Sequence, residues 1–136
     1  MHDLTILSIF RNSTAYLDRY AAQVKSVMAA KPDWTFQFIW LEGDSTDDTV
    51  LKLNALWGDV KAAGASVVIG KYDHGGPVYP SVDNPERWAQ IANVWNRNLQ
   101  RLSVPTRYAV CVESDLIWQA SDLLLMLDHL RNDLCD

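Results

Sequence analysis

The apolar positions of this chain follow two alternating rhythms. Leu4 to Phe10 is a short, nearly continuous apolar run rich in Ile and Leu, the pattern of a strand covered on both faces. Beyond the polar Arg11, Asn12 and Ser13, residues Leu17, Tyr20, Ala21, Val24, Val27 and Met28 recur at helical spacing, and Pro32 cannot continue that helix. Phe36 to Leu41 predicts a second strand from its aromatic and β-branched content. The polar segment from Glu42 to Thr49 leads into a helix with Val50, Leu53, Leu56 and Trp57 on its apolar face and Gly64 as its terminator. Ser45 with Asp48 three residues on reads as a capping box, and Asp47 and Asp48 suit the positive end of the helix dipole. Ala65 to Ile69 predicts a third strand. A long loop follows, containing Asp73-His74-Gly75-Gly76-Pro77 and Pro80, of a length that is often functional. Asn84-Pro85 predicts an N-cap with proline at the first helical position, ahead of a stripe formed by Trp88, Ile91, Ala92, Trp95, Leu99 and Leu102. Arg107 to Val112 predicts a fourth strand ending at Glu113-Ser114-Asp115. Ser121 would cap a last helix carrying Leu124, Leu127 and Leu130.

Strands alternating with helices imply parallel pairing, and right-handed crossovers restrict the topology. The expected fold is α/β: a mostly parallel open, Rossmann-like sheet with helices on both faces and strand order 3-2-1-4. Such a sheet has a switch point between its first and fourth strands, where ligands bind at the carboxyl ends.

Composition narrows the function. The 136 residues amount to one domain, residues 1–136, and 49% apolar content allows a sizeable core. A net charge of −5 argues against broad nucleic-acid binding. An anionic ligand would therefore need a metal or a few placed cations. Cys111 sits in an apolar run and reads as a buried small hydrophobe, with Cys135 a tail thiol. Neither suggests a disulfide, and a reducing, cytoplasmic setting fits. No signal peptide or transmembrane segment is expected, because the opening apolar run is too short.

The predicted topology gathers polar residues at one rim: Arg11 and Asn12 after the first strand, Glu42 and Asp44 after the second, Glu113 and Asp115 after the fourth. In extended backbone, Glu113 and Asp115 would face the same way, as two hard oxygen donors suited to Mg²⁺ or Mn²⁺. The plainer alternative is a pair of solvated carboxylates. Glu42 could accept a hydrogen bond from a base or ribose, or it and Asp44 could serve as turn and cap residues. Arg11 is either a phosphate contact or an ordinary loop arginine. His74 has no partner at metal spacing and reads as a loop histidine. Trp88 and Trp95 read as core. Trp118 either stacks on a ligand or packs in the core.

The segment Leu41-Glu-Gly-Asp-Ser-Thr-Asp-Asp-Thr49 resembles the Asp-Asp-Gly-Ser-Thr-Asp-x-Thr segment of family 2 glycosyltransferases and their GT-A-fold relatives. Leu4 to Asn12 with Tyr16-Leu17 is similar to the family's first strand and its Tyr-Asn-x-x-x-x-Leu loop. Arg97-Asn98-Leu99 is similar to its Ala-Arg-Asn segment, and Glu113-Ser114-Asp115 falls where it carries its Asp-x-Asp metal motif. The resemblance implies a glycosyltransferase that binds a nucleoside diphosphate sugar, of UDP or GDP type, with Mn²⁺ or Mg²⁺. Phe10, Arg11 and Asn12 would line the nucleotide cleft, joined by Asp44 and Ser114. Glu42 would contact base or ribose, Arg97 would either lie near the diphosphate or be structural, and Asp115, assisted by Glu113, would hold the metal. No catalytic base is assigned. Gly43 and Asp44 depart from the family's Asp-Gly at those places, and Glu113 replaces an Asp.

The resemblance further implies that the family's acceptor-binding half is lacking here, so the chain would be the truncated donor-binding part. Exposed apolar surface at the missing interface would favour a homodimer or a non-catalytic, self-associating module. The other alternative is a sugar nucleotidyltransferase. Against it, Phe10-Arg11-Asn12-Ser13-Thr14 lacks the glycines of a phosphate loop.

Overall fold

The computed structural model describes residues 1–79 and 81–131, so Pro80 of the long loop and the tail thiol Cys135 lie outside it. Its elements are β1 (His2–Phe10), α1 (Thr14–Ala30), β2 (Phe36–Glu42), α2 (Thr49–Ala62), β3 (Ser66–Lys71), α3 (Pro85–Leu99), β4 (Thr106–Cys111) and α4 (Ala120–Arg131). All three strand pairings are parallel, and the order is β3-β2-β1-β4, as the alternation of elements predicts. Helices cover both faces: α1 packs between α2 and α4 on one side, while α3 lies alone across β1 and β2 on the other.

The α1 side holds the main core. Leu4, Ile6 and Phe10 of β1 and Phe38 and Trp40 of β2 point into it, meeting Tyr20, Val24 and Val27 of α1, Leu53 and Val60 of α2, and Leu123 and Leu127 of α4. Period-two alternation along each strand produces this segregation. Its centre is polar but satisfied. The Tyr20 hydroxyl accepts from Trp40 Nε1 at 3.1 Å and pairs with Ser8 Oγ at 2.8 Å, all of it buried. Burial pushes the Tyr20 phenol above its ordinary range. Tyr20→Phe would strand the Trp40 N–H and the Ser8 hydroxyl, at a cost of about 1–3 kcal/mol. Urea unfolding would register it, and an unchanged midpoint would contradict the role given to this triad.

The α3 side is thinner. Leu7, Ile39 and Leu41 are fully buried beneath it, yet Asn98 is the only buried residue of α3 itself. Asn98 Nδ2 donates to the main-chain carbonyls of Ser8 at 3.1 Å and Ile39 at 3.3 Å, so the helix is pinned to two strands by one amide. The inward face of α3 is therefore Arg87, Ile91, Val94 and Asn98, rotated one position from the apolar stripe. Trp88 is 52% exposed rather than core. Cys111 is also exposed: it lies opposite Leu7 in the ladder, but α3 makes its sheet contacts with β1 and β2. Trp118 packs against the main core.

Boundaries were set by local chemistry. Gly64, at φ 92°, ends α2, with the Ala65 N–H returning to the Val60 carbonyl at 3.0 Å. Asn84 Oδ1 caps α3 by accepting from the Glu86 and Arg87 N–H groups at 2.9 and 3.2 Å. The last helix begins at Ala120, with Asp122 accepting from the Gln119 N–H at 2.9 Å, so Ser121 is not its cap. Among the described residues, no helix is long and apolar enough to cross a membrane.

Candidate functional site

The carboxyl ends of β1 and β4 border an open cleft of about 500 Å³, at the point where the crossover helices part to opposite faces of the sheet. Phe10, Arg11 and Asn12 line it from β1, and Glu113, Ser114 and Asp115 from the segment after β4. These groups lie about a hundred residues apart in sequence. The Ser13 and Ser114 hydroxyls close the seam between them at 3.2 Å.

The acidic pair does not owe its placement to strand alternation. The strand stops at Cys111, and Ser114 and Asp115 lie in a turn with the Leu116 N–H on the Glu113 carbonyl at 3.3 Å. Both carboxylates nonetheless line the cleft. Glu113 is half-buried, and Trp95 Nε1 donates to its Oε1 at 2.8 Å. Burial raises the Glu113 carboxyl above its ordinary value, with the Asp115 charge adding to the rise and the Trp95 hydrogen bond and Arg87 opposing it. Arg19 of α1 donates to the Asp115 main-chain carbonyl at 2.6 Å, and Gln23, one turn on, donates to the Trp118 carbonyl at 2.7 Å. Helix α1 thus holds the acidic turn, while the Asp115 side chain has no partner among the described residues. Two carboxylate residues on one wall, one of them partly desolvated, could hold a hard divalent cation completed by water and ligand oxygens. Among the described residues, no group of three or more His, Cys, Asp or Glu gathers as a metal cage, so the pair could supply only part of a coordination sphere.

Glu42 and Asp44 occupy the same sheet edge but turn away from the cleft. Glu42 stands beside Phe10 in the ladder, is 5% exposed, and accepts from the Ser45 N–H at 3.1 Å. Asp44, at φ 54°, fastens the loop after β3: its carboxylate accepts from the N–H groups of His74 at 2.9 Å and Gly75 at 3.2 Å and lies 3.3 Å from His74 Nε2. The glycine between them has a steric cause. A Cβ on Gly43 would fall 1.8 Å from the Tyr72 carbonyl oxygen, because the loop crosses directly over it. His74 is fully engaged in this loop. Its Nδ1 accepts from the Gly76 N–H at 2.9 Å and Nε2 faces Asp44, so neither nitrogen is left to act as a base.

Arg11 reaches the same loop, donating to the Gly76 carbonyl at 3.0 Å. Asn12, at φ 48°, joins the loops after β1 and β2: its Oδ1 accepts from the Thr46 N–H at 2.8 Å, and its own N–H meets Ser45 Oγ at 3.0 Å. Ser45 is therefore not a capping-box residue. Asp47 takes the capping role and serves two helices at once, accepting from the Thr49 N–H at 3.0 Å, the Thr49 hydroxyl at 2.6 Å and the Thr14 N–H at 3.2 Å. Desolvation works against its charge, and these hydrogen bonds overcome it, holding the carboxyl down to about 2. A depressed carboxyl stabilises the fold above its ordinary value and loses that contribution as pH falls towards about 2. Asp47→Ala is expected to cost about 1–2 kcal/mol near neutrality. The gap from wild type should narrow on acidification below about pH 4, as urea midpoints across that range would show. A gap independent of pH would contradict the two-helix cap.

Arg97 does not line the cleft; its guanidinium sits 4.0 Å from the ring centroid of Tyr72, which does. Sequence reasoning passed over Arg87 and Gln90, which face the cleft from α3, and Arg19, which positions the acidic turn. Their spacing with Ile91, Val94 and Asn98 was the available signal, masked by the more conspicuous tryptophans one position away. No protein-family model and no curated protein matches this chain.

Proposed function

We propose that this domain binds a nucleoside diphosphate sugar together with Mg²⁺ or Mn²⁺ and serves as the donor-binding part of a glycosyltransferase. One observation carries the reading: residues following β1 and residues following β4 converge on a single cleft at the switch point of a parallel sheet, with an acidic pair at one wall. The resemblance to family 2 glycosyltransferases supplies the chemistry. Asp115 and Glu113 would hold the cation, which would supply Lewis-acid stabilisation to a departing diphosphate. Phe10 and the loop of Tyr72 to Pro77 would enclose the nucleoside, with Ser114 lining the seam beside Ser13. In this reading Glu42 and Asp44 shape the pocket rather than touch the ligand: neither lines the cleft, Glu42 Oε1 accepts from the Ser45 N–H, and the Asp44 carboxylate holds the loop. Arg97 would steady Tyr72.

Calorimetric titration with UDP and with GDP, each with and without Mn²⁺, tests the proposal. Binding that depends on the metal is expected for one of them. Failure of both to bind would remove the nucleotide reading. Release of pyrophosphate from a nucleoside triphosphate and a sugar phosphate would replace it with nucleotidyl transfer.

A further inference from the structure

Most polar groups around the cleft are engaged by the protein itself. Arg11 holds the Gly76 carbonyl while its buried Nε has no partner among the described residues, His74 is bonded within its loop, Ser13 pairs with Ser114, and Trp95 holds Glu113. Two side chains on the first turns of α3 differ. Arg87 lines the cleft, is only partly exposed, and its guanidinium makes no hydrogen bond or ion pair among the described residues. Gln90 also lines the cleft, and its Oε1 is buried without a partner. Three residues apart, they share one face of a helix whose start is fixed by the Asn84 cap. A buried carbonyl without a donor is costly unless a ligand completes it, and the guanidinium beside it is uncommitted and can meet an anion. Ile91 and Val94 line the cleft beside them with apolar surface, which strengthens any charge-assisted contact made there.

We propose that Arg87 and Gln90 are specificity-determining residues of this cleft: Arg87 takes an anionic oxygen group of the ligand, and Gln90 Oε1 accepts from a hydroxyl or N–H beside it. The inference rests on the nucleoside diphosphate sugar reading and deepens it. The cleft then pairs an acidic wall with a cationic one, close enough that Arg87 opposes the rise of the Glu113 carboxyl. The Glu113–Asp115 wall repels a bare anion and accepts a cation, while the α3 wall accepts negative charge that no metal escorts. Two parts of such a ligand carry that chemistry, the terminal phosphate or a carboxylate on the sugar.

The test is calorimetry in Mn²⁺ with UMP, UDP, UDP-glucose and UDP-glucuronate, or the guanosine counterparts if that base binds, on wild type, Arg87→Gln and Gln90→Leu. If Arg87 meets the phosphate, Arg87→Gln weakens UDP about 10- to 100-fold and leaves UMP unchanged. If it meets a sugar carboxylate, the same loss appears with UDP-glucuronate alone. Wild-type affinity of Arg87→Gln for all four ligands overturns the assignment. Gln90→Leu should raise Tm, by relieving an unpaired buried oxygen, while weakening the sugar nucleotides. A lowered Tm with unchanged affinity would remove Gln90. Should wild type bind no nucleotide, the functional reading fails, and inorganic pyrophosphate tests the anion site separately. No binding, or equal binding by wild type and Arg87→Gln, overturns it.

Discussion

Asp115→Ala is expected to abolish metal-dependent nucleotide binding, weakening it roughly 100-fold or more while the fold stays intact. The first half follows from the donor count. The cleft offers a cation two carboxylates, and outer-shell partners of metal ligands alone are commonly worth about 10- to 100-fold in affinity. Removing one of two direct donors should exceed that. The second half follows from what Asp115 does for the fold. Arg19 grips its main-chain carbonyl, which alanine keeps, and its exposed side chain has no partner among the described residues. Stability should therefore move by no more than about 0.5 kcal/mol. Calorimetry with Mn²⁺ and nucleotide, beside urea unfolding of the same variant, separates the two effects. Unchanged metal-dependent binding would take Asp115 out of the site.

Gly43→Asp should do the opposite, damaging the fold in order to restore a residue that the resembling family carries there. Any side chain at this position meets the main-chain oxygen of Tyr72, which cannot rotate aside as a flexible side chain could. The loop must lift, breaking the bond from the Tyr72 N–H to the Glu42 carbonyl at 2.8 Å and loosening the clasp of Asp44 on His74 and Gly75. Overpacking of this kind costs about 3 kcal/mol, at the upper end of the usual range. The contrast is Gly58 within α2, where an added Cβ meets nothing within 4 Å. Gly58→Ala should stabilise by about 0.5–1 kcal/mol. Thermal unfolding of the pair checks both signs. A Gly43→Asp protein as stable as wild type would mean that the loop does not lie over this strand end.

These two residues also mark what the sequence could and could not disclose. The strand that ends at Glu42 was legible because Phe36, Phe38, Ile39, Trp40 and Leu41 give it the aromatic and β-branched content of a strand covered on both faces, and all seven of its residues are buried. Asn84-Pro85 was legible because capping is local chemistry. The convergence of Arg11 with Asp115 followed from topology alone, since parallel order and crossover handedness leave few arrangements. What stayed hidden depends on contacts between distant segments. Nothing in the neighbourhood of Glu42 tells that its Oε1 accepts from the Ser45 N–H or that Tyr72 crosses above Gly43. Asp47, not Asp48, caps α2, because the N-terminus of α1 arrives beside it and offers a second N–H. On α3, hydrophobicity selected the stripe through Trp88, while the buried face turns on Asn98, whose amide is worth burying only because two strand carbonyls await it. Cys111 was assigned to the interior by its apolar neighbours, although one helix does not reach across four strands.

The most direct test of the central claim is an anomalous difference map, at the manganese absorption edge, from crystals soaked in Mn²⁺ and the nucleoside diphosphate that binds. One strong peak is expected, bounded by the Glu113 and Asp115 carboxylates, with diphosphate density leading from it into the cleft beside Phe10. A nucleotide bound elsewhere, or a metal peak away from both carboxylates, would contradict it.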